Sequence, residues 1–345
     1  MGRPKRKSTR TLGIGNRRQF FQTSLALTGL GLASGCGIAS RSGQQPAKVP
    51  VIGFLATGPR QGRAHLIAAF IEGLRDLGYV EGQSIVIEYR FADRNDQLPA
   101  LAAELVNLPV DIILASATPA SFAAKERTST VPIVMGGSGD PVGTGLVPSI
   151  AHPRGNVTGM SNFTLLGEKR LELLREIIPG LSRVLVFSND TSPLHVPQDE
   201  DIQTAGRKLG VGIRILPVRR LDAFEGAFQA AASAGADAVY LTADSLVTNG
   251  KDRIAELALR YRLPSVFDFA ENVYAGGFLS YGPSIVDNYR RSATHVAKIL
   301  QGADPADLPI EQPMKFDFVI NLKTAQALGL TVPPSLLQQA TGVIQ

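Results

Sequence analysis

From Val49 onward, short apolar runs alternate with amphipathic helical patterns, and this alternation restricts the fold more than any other feature of the sequence. The run VDIILA at 110–115 shows almost no polar alternation, which is typical of a parallel strand buried on both faces. Thr118 then suits the N-cap of a helix, and Pro119 suits its first position. A second buried strand begins at Pro132. Such strand–helix units indicate parallel sheets covered by helices on both faces.

The alternation runs through two successive sets, and a chain of 345 residues has room for about two domains. The second set is followed by a predicted crossing strand at 276–282, a helix at 285–300 and a strand at 316–320. A tail of this length predicts that the chain returns to the first lobe, and several crossings would form a hinge. The predicted fold class is therefore α/β, with two doubly wound parallel-sheet lobes joined by a multi-strand hinge. The predicted lobes are residues 49–161 plus 281–312, and residues 162–280 plus 313–345.

The first 36 residues have the order of features found in an export signal. Basic residues lead to NRRQFF at 16–21, which resembles a twin-arginine motif, and an uncharged run follows at 25–32. That run is too short for a stable transmembrane helix. The sequence ASGC resembles a lipoprotein cleavage site with Cys36 lipidated, but the usual leucine stands one place early, so ordinary signal-peptidase cleavage is the alternative. Residues 37–48 are rich in Ser, Gly, Gln and Ala and would form a flexible tether.

The net charge of +5 does not indicate a nucleic-acid partner, because residues 1–36 carry seven basic side chains and no acid. The remainder is slightly acidic and has no basic stripe. Cys36 is the only cysteine, so no disulfide can form within the chain. The histidines are far apart and lack metal-ligand spacing, and GGSGDPVGTG lacks the Lys of a phosphate loop. We expect no metal, no cofactor and no nucleic acid.

Several long runs carry a family resemblance, namely AFIEGLRDLGYVEGQSIVIEYRFAD, LPALAAELV, TPASFAAKERTSTVPIV, GDPVGTGLVPSIAHPRGNVTG, EKRLELLREIIPGLSRVLV and FVINLKTAQALGL. They resemble ABC transporter substrate-binding proteins of the tryptophan/tyrosine-uptake type, over nearly all of residues 50–345. The resemblance implies a periplasmic-binding-protein type I fold with a three-strand hinge and a ligand enclosed between the lobes.

The same resemblance implies a function in ABC import. The chain would be a monomer in the periplasm, held at the membrane by its N-terminal lipid. It would capture a small solute, such as an aromatic or another amino acid, and deliver it to permease and ATPase subunits.

Ligand contacts in such proteins come from loops at the carboxyl ends of strands. The candidate ligand-binding residues are Thr57, Ser116, Ala117, Thr118, Ser138, Asp140, Asn189, Asp244, Asp268 and Tyr281. A ligand carboxylate would bind hydroxyl and N–H donors of Ser116 and Thr118 at a helix start. A ligand ammonium would bind Asp140, Asp244 or Asp268, and an apolar side chain would contact Phe54, Phe267 or Tyr281.

Each candidate also has a structural interpretation. Ser116 and Thr118 could serve as helix caps alone, and Asp140 could form a turn with the proline that follows it. Asp244 and Asp268 could cap the helices that they precede. Phe267 and Tyr281 could belong to the core rather than to a ligand wall.

Two further classes of function share some of these features. A ligand-sensing protein that signals to a membrane partner would have the same fold, and twin-arginine export also serves enzymes. No GxSxG elbow occurs, and Cys36 lies in the signal, so the mature chain has no catalytic thiol. We therefore predict a binding protein that does not alter its solute chemically.

Overall fold

The computed structural model describes residues 48–345, which form two α/β lobes, each built around its own sheet. The predicted signal segment, Cys36 and the tether up to residue 47 lie outside the described residues. Within residues 48–345 we find no helix with both the length and the hydropathy that a membrane crossing requires.

The first lobe contains a five-stranded parallel sheet in the order β2-β1-β3-β4-β5. Its strands are β1 (Val51–Thr57), β2 (Val86–Ala92), β3 (Ile112–Ala115), β4 (Ile133–Ser138) and β5 (Val157–Ser161). Its sequential helices are α1 (Ala64–Asp76), α2 (Leu98–Asn107) and α3 (Ala117–Arg127), with short 3₁₀ turns at Arg60–Arg63 and Asn95–Gln97. Because the strand order reverses between β1 and β3, this sheet has a topological switch point there.

The second lobe contains a seven-stranded sheet in the order β12-β11-β10-β9-β8-β6-β7. Its strands are β6 (Arg183–Ser188), β7 (Gly212–Pro217), β8 (Ala238–Leu241), β9 (Ser265–Phe267), β10 (Leu279–Pro283), β11 (Phe316–Asn321) and β12 (Gly342–Ile344). All neighbours are parallel except β10 and β11, which are antiparallel. The switch point of this sheet lies between β6 and β8.

Nine further helices follow β5 in chain order. They are α4 (Gly167–Ile177), α5 (His195–Leu209), α6 (Phe224–Ser233), α7 (Ser245–Asn249), α8 (Lys251–Arg260), α9 (Ala270–Tyr274), α10 (Ile285–Leu300), α11 (Leu322–Leu328) and α12 (Pro334–Gln339). Short 3₁₀ turns also occur at Leu221–Ala223 and Pro305–Asp307.

The chain passes between the lobes three times, after β5, after β10 and before β11. The helix α10 returns to the first lobe, where Tyr289, Ala293 and Val296 pack in one core cluster with Phe70 of α1. A Cβ on Gly73 of α1 would collide with backbone and side-chain atoms of α10, so the close approach of these two helices requires glycine. The first lobe is therefore built from two separate segments of the chain.

The predicted fold class is confirmed, and the predicted helix at 285–300 matches α10. The prediction of Thr118 as an N-cap is wrong: Ser116 precedes the helix and Ala117 begins it. The short helices α7 and α9 were not predicted, because five residues are too few to show a helical apolar period. The residue boundaries predicted for the lobes stay a prediction.

Candidate ligand-binding site

A cavity of about 300 Å³ lies between the two lobes, at the lower end of the range for small-molecule sites. Both switch points contribute to its lining. Arg63 and Ser116 follow β1 and β3 of the first sheet, and Asn189 and Asp244 follow β6 and β8 of the second. Open α/β sheets bind ligands at these positions, because the loops there diverge and leave a crevice.

The lobes touch each other around this cavity. Arg63 Nη2 donates a hydrogen bond of 3.3 Å to Asn249 Oδ1 in the second lobe. His65 Nε2 of the first lobe lies 3.6 Å from Glu271 Oε2 of the second. These contacts connect the two rims, so the structure shows the lobes in a closed arrangement.

Arg63 is a buried cation in the wall of the cavity. Its Nε donates to the carbonyl oxygen of Thr57 at 2.6 Å, and its Nη1 donates to Ser116 Oγ at 3.1 Å. The residue is only 8% exposed, and among residues 48–345 no carboxylate oxygen lies within 4.0 Å of its guanidinium. A buried charge is costly unless a counter-charge compensates it, so this site favours an anionic group of a ligand.

The start of α3 adds further donors beside Arg63. Ser116 lines the cavity but does not cap the helix, because its Oγ accepts from Arg63 and from the Tyr289 hydroxyl instead. Ala117 has a φ of 68°, a left-handed conformation that costs a non-glycine residue about 1–3 kcal/mol. Thr118 Oγ1 accepts from Gly139 N at 2.8 Å. The first turn of α3 thus lies against the cavity without a side-chain cap, which suits an anion.

Glu271 provides the opposite charge. Its side chain is 13% exposed, lines the cavity and accepts no hydrogen bond from the residues that the structure describes. Burial raises the pKa of the Tyr289 phenol, Arg63 and the hydrogen bond to Ser116 oppose this rise, and Glu271 adds to it. Because His65, two residues from Arg63, lies 3.6 Å from Glu271, the cation and the carboxylate lie on the same side of the cavity. A zwitterion is the ligand that such a pair of charges can satisfy.

Asp268, a predicted acceptor for a ligand ammonium, already has a partner. Its Oδ1 lies 2.5 Å from Arg170 Nη1, and the two side chains are 7% and 2% exposed. Burial raises the pKa of Asp268, and the Arg170 guanidinium opposes the rise. Asp268 lies at the cavity wall, but its charge is neutralised by Arg170, so it is less available to a ligand than Glu271.

Asp244 both caps a helix and lines the cavity. Its Oδ1 accepts from Leu246 N at 2.7 Å, which is the N-cap hydrogen bond of α7, and from Asn189 Nδ2 at 3.2 Å. Burial raises the pKa of Asp244, and these hydrogen bonds and the neighbouring Ser192 hydroxyl oppose the rise. The capping role and the ligand role proposed from the sequence are thus compatible at this residue.

The structure does not bring Thr57 or Ser138 into the cavity lining. The Thr57 hydroxyl donates to Asn95 Oδ1 at 2.8 Å, and Thr57 contributes instead through the carbonyl that holds Arg63. Ser138 is fully buried, and its Oγ pairs with Ser121 Oγ at 2.8 Å. Both hydroxyl groups are used inside the first lobe.

Asp140 and Tyr281 also lie outside the lining. Asp140 Oδ1 accepts from two backbone N–H groups of the turn that follows it, at 3.1 and 2.8 Å, as the turn interpretation predicts. The ring of Tyr281 packs against those of Phe316 and Phe318 at the antiparallel pair of strands β10 and β11. These two side chains have structural roles in the loop and near the hinge.

The aromatic side chains at the cavity differ from those predicted. Phe54 and Phe267 are fully buried in the cores of the two lobes and do not line it. The aromatic residues in the lining are Phe122, Phe163, Phe269 and Tyr289. Sequence reasoning also missed Arg63 and Glu271, although a basic residue in the loop after the first strand was a usable signal for the former.

Comparison with known proteins identifies the family that the sequence matches. The sequence model of the family described as ABC transporter substrate binding protein matches residues 48–344. A tyrosine-binding protein of Clostridioides difficile is 25% identical over 263 residues, which cover 76% of this chain and 75% of the relative.

Two solved structures share the fold. An ABC domain from Streptococcus pneumoniae in complex with L-Trp superposes with a TM-score of 0.80 at 24% identity, covering 86% of this chain and 99% of that one. The leucine-binding protein LivK of Thermotoga maritima gives a TM-score of 0.55 at 16% identity, covering 81% and 87%. At these identities the likeness is one of fold.

Proposed function

This chain belongs to the ABC transporter substrate-binding protein family, and we propose that it captures an aromatic α-amino acid in the cavity between its lobes. The family and the relatives are substrate-binding proteins rather than enzymes, which confirms the prediction that the chain has no catalytic role. The proposal concerns which solute is bound and by which residues.

One observation carries the proposal: Arg63 and Glu271 line the same cavity, and neither has a full set of partners within the described part of the chain. The α-carboxylate of the ligand would bind Arg63, Ser116 and the first turn of α3. Its α-ammonium would bind Glu271. The two ends of one zwitterion would then satisfy the buried charge of Arg63 and the partly buried charge of Glu271, one from each lobe.

The walls of the cavity favour an aromatic side chain. Phe122, Phe163 and Phe269 line it, and aromatic pairs gain about 0.5–1.5 kcal/mol beyond the area that they bury. The tyrosine-binding relative and the L-Trp complex of a structural neighbour support the same class of ligand. We therefore place tyrosine and tryptophan first among the amino acids to be tested.

Binding would be coupled to closure of the lobes. A ligand that contacts Arg63 in one lobe and Glu271 in the other has its full set of contacts only when the lobes are closed. Its differential affinity for the closed state would shift the population from open to closed. The closed, ligand-bound form would be the one that a permease recognises.

The remaining features complete the proposal. We propose export by the twin-arginine-like signal, anchoring through Cys36 as a lipoprotein, and delivery of the solute, by a monomer in the periplasm, to permease and ATPase subunits. The lobe boundaries at residues 161–162, 280–281 and 312–313 belong to the same proposal.

Calorimetric titration of the ligand-free mature protein tests the amino-acid proposal. We expect L-Tyr and L-Trp to bind, and we expect tyramine, which lacks the carboxylate, and 3-(4-hydroxyphenyl)propionate, which lacks the ammonium, to bind at least about 30-fold more weakly. Arg63→Gln and Glu271→Gln should each weaken amino-acid binding by a similar factor, because each leaves one ligand charge unpaired.

Two exposed residues provide matched controls. Arg75→Gln on α1 and Glu176→Gln on α4 remove the same charges away from the cavity and should leave the affinity unchanged. Tight binding of tyramine would show that Arg63 does not recognise a carboxylate. If no amino acid binds to the wild-type protein, the proposed solute class is wrong.

A further inference from the structure

Asp244 lines the cavity, and its carboxylate has more acceptor sites than the neighbouring donors of the described chain fill. The hydrogen bonds from Leu246 N and Asn189 Nδ2 both go to Oδ1, and the neighbouring Ser192 hydroxyl is a further donor that favours the charged carboxylate. No cationic side chain of the described chain lies within 4.0 Å of this carboxylate. The carboxylate is nevertheless fixed, because Oδ1 caps α7 and the backbone at Asp244 is extended, with a φ of −152°.

The surroundings of Asp244 are polar, in contrast to the aromatic side chains elsewhere in the lining. Asn189, Ser192 and Gln198 line the same part of the second lobe, and Gln198 Nε2 is held by the carbonyl oxygen of Ala243 at 3.1 Å. Among the residues that line the cavity, Arg63 is the one basic residue, and the buried Arg170 that neutralises Asp268 lies outside the lining. Asp244 therefore has no cation of the protein to balance it.

Under the proposed function the zwitterion is bound by Arg63 and Glu271, which leaves Asp244 for another contact. Arg63 contacts Ser116, and Glu271 lies beside His65, two residues from Arg63, so the two α-substituents would be held at this end of the cavity. Asp244 belongs to the switch point of the second sheet, beside Asn189, and is left for another part of the ligand. The part that remains is the side chain.

From this arrangement we infer that Asp244 is a specificity-determining residue, which accepts a hydrogen bond from an N–H or O–H group on the aromatic ring of the ligand. The inference rests on the proposed amino-acid function. Tyrosine and tryptophan carry such a donor, and phenylalanine does not. A ring without a donor would cover the Asp244 carboxylate and remove it from water without supplying a hydrogen bond, which is the arrangement by which polar sites reject apolar analogues.

Pairs of ligands with the same shape test the inference by titration calorimetry. Tryptophan is compared with 3-benzothienyl-L-alanine, in which sulfur replaces the ring N–H, and tyrosine with 4-fluoro-L-phenylalanine. For the wild-type protein we expect the donor in each pair to bind about 10- to 100-fold more tightly. For Asp244→Asn the ratio should fall to about 1, because the amide NH₂ takes the place of Oδ2.

The choice of asparagine keeps the fold intact, since asparagine is as good an N-cap as aspartate and its oxygen can still accept from Leu246 N. Asp304→Asn is the matched control: Asp304 also caps a short helix, accepting from Ala306 N at 2.9 Å, but lies on the surface away from the cavity. This control should keep the wild-type ratios, and thermal melts should confirm that both variants fold.

The outcomes separate this inference from the proposed function. Equal binding of both members of each pair by the wild type overturns the inference and leaves amino-acid capture standing. An Asp244→Asn variant that weakens every ligand equally, phenylalanine included, also overturns it, because Asp244 would then bind the α-ammonium. If no amino acid binds at all, both the function and the inference fail.

Discussion

Replacing Asp268 by asparagine should destabilise the second lobe, because it leaves the buried Arg170 guanidinium without its carboxylate. Arg170 also donates to the carbonyl oxygen of Tyr281 at 2.7 Å and to the Tyr240 hydroxyl at 2.5 Å, while its Nη2 has no partner. The guanidinium is thus surrounded by dipoles, and Asp268 supplies the compensating charge. Breaking a buried ion pair on one side costs about 3–5 kcal/mol.

The size of the expected effect follows from the geometry. Asparagine can still accept a hydrogen bond from Arg170 Nη1, so we expect the lower end of that range, about 3 kcal/mol. A change of 1 kcal/mol shifts the melting temperature of a unit of 150–250 residues by about 2–4 °C, so the Tm should fall by roughly 6–12 °C. Arg170→Met should have a similar effect, because it leaves the buried Asp268 carboxylate without its cation.

The assay is a double-mutant cycle, in which the unfolding free energy of each ligand-free variant is measured by urea unfolding and by calorimetry. The double variant Arg170→Met/Asp268→Leu removes both charges and should be more stable than either single variant, since no unpaired buried charge remains. Asp190→Asn is the control, because its ion pair with Arg219 is solvent-exposed and contributes little. A Tm for Asp268→Asn within 2 °C of wild type would refute the reasoning.

Three further predictions concern strain, hinge packing and pH. Ala117→Gly should leave the Tm unchanged or raise it, whereas Ala117→Val should lower stability by about 2 kcal/mol in urea unfolding, because a β-branched residue resists a φ of 68°. Gly282→Ala should destabilise the protein by about 1–3 kcal/mol, since the added Cβ would collide with the carbonyl oxygen of Asp268. Gly226→Ala is the control, because no atom lies within 4 Å of the position that its Cβ would take. Burial lowers the pKa of His295 below its ordinary value of 6.5. As the pH falls below 6.5, the imidazole is therefore protonated in the unfolded chain before it is protonated in the folded protein, and the free energy of unfolding decreases. His295→Gln should flatten that part of the profile of unfolding free energy measured between pH 5 and 7.5.

Each of these tests has a result that would contradict it. An Ala117→Val protein as stable as Ala117→Gly would mean that the left-handed conformation is not maintained in solution. A stable Gly282→Ala protein would mean that β10 does not pack so closely on Asp268. An unchanged slope for His295→Gln would assign the acid sensitivity to other groups.

Much of the fold was predictable, because strand and helix periods are local properties of the sequence. The run at 110–115 contains β3, and the helix predicted at 285–300 matches α10, since apolar spacing over several turns is visible without a structure. The return of the chain to the first lobe was predicted from the length of the tail after the second set. The short helix α9 was missed because it is held by its packing rather than by its own apolar period.

The site was less predictable, because its charges are paired through the fold and not along the sequence. Arg63 and Ser116 are 53 residues apart and meet because β1 and β3 are neighbours in the sheet. The sequence makes Asp268 a candidate for a ligand ammonium, but in the structure its carboxylate is paired with Arg170. Loop carboxylates at strand ends look alike in a sequence, and only their partners distinguish a ligand contact from a structural ion pair.

The packing of α10 on α1 has a consequence for biosynthesis. Because α10 follows the whole second sheet except β11 and β12, the apolar surface that it covers on α1 stays open while most of the chain is still emerging from the ribosome. The nascent first half cannot complete its core, and an exposed apolar surface of this kind favours aggregation. Truncated versions that end before residue 285 should therefore depend on chaperones and accumulate as insoluble material. A circular permutant that joins 285–312 directly to the first half should fold its first lobe without such help.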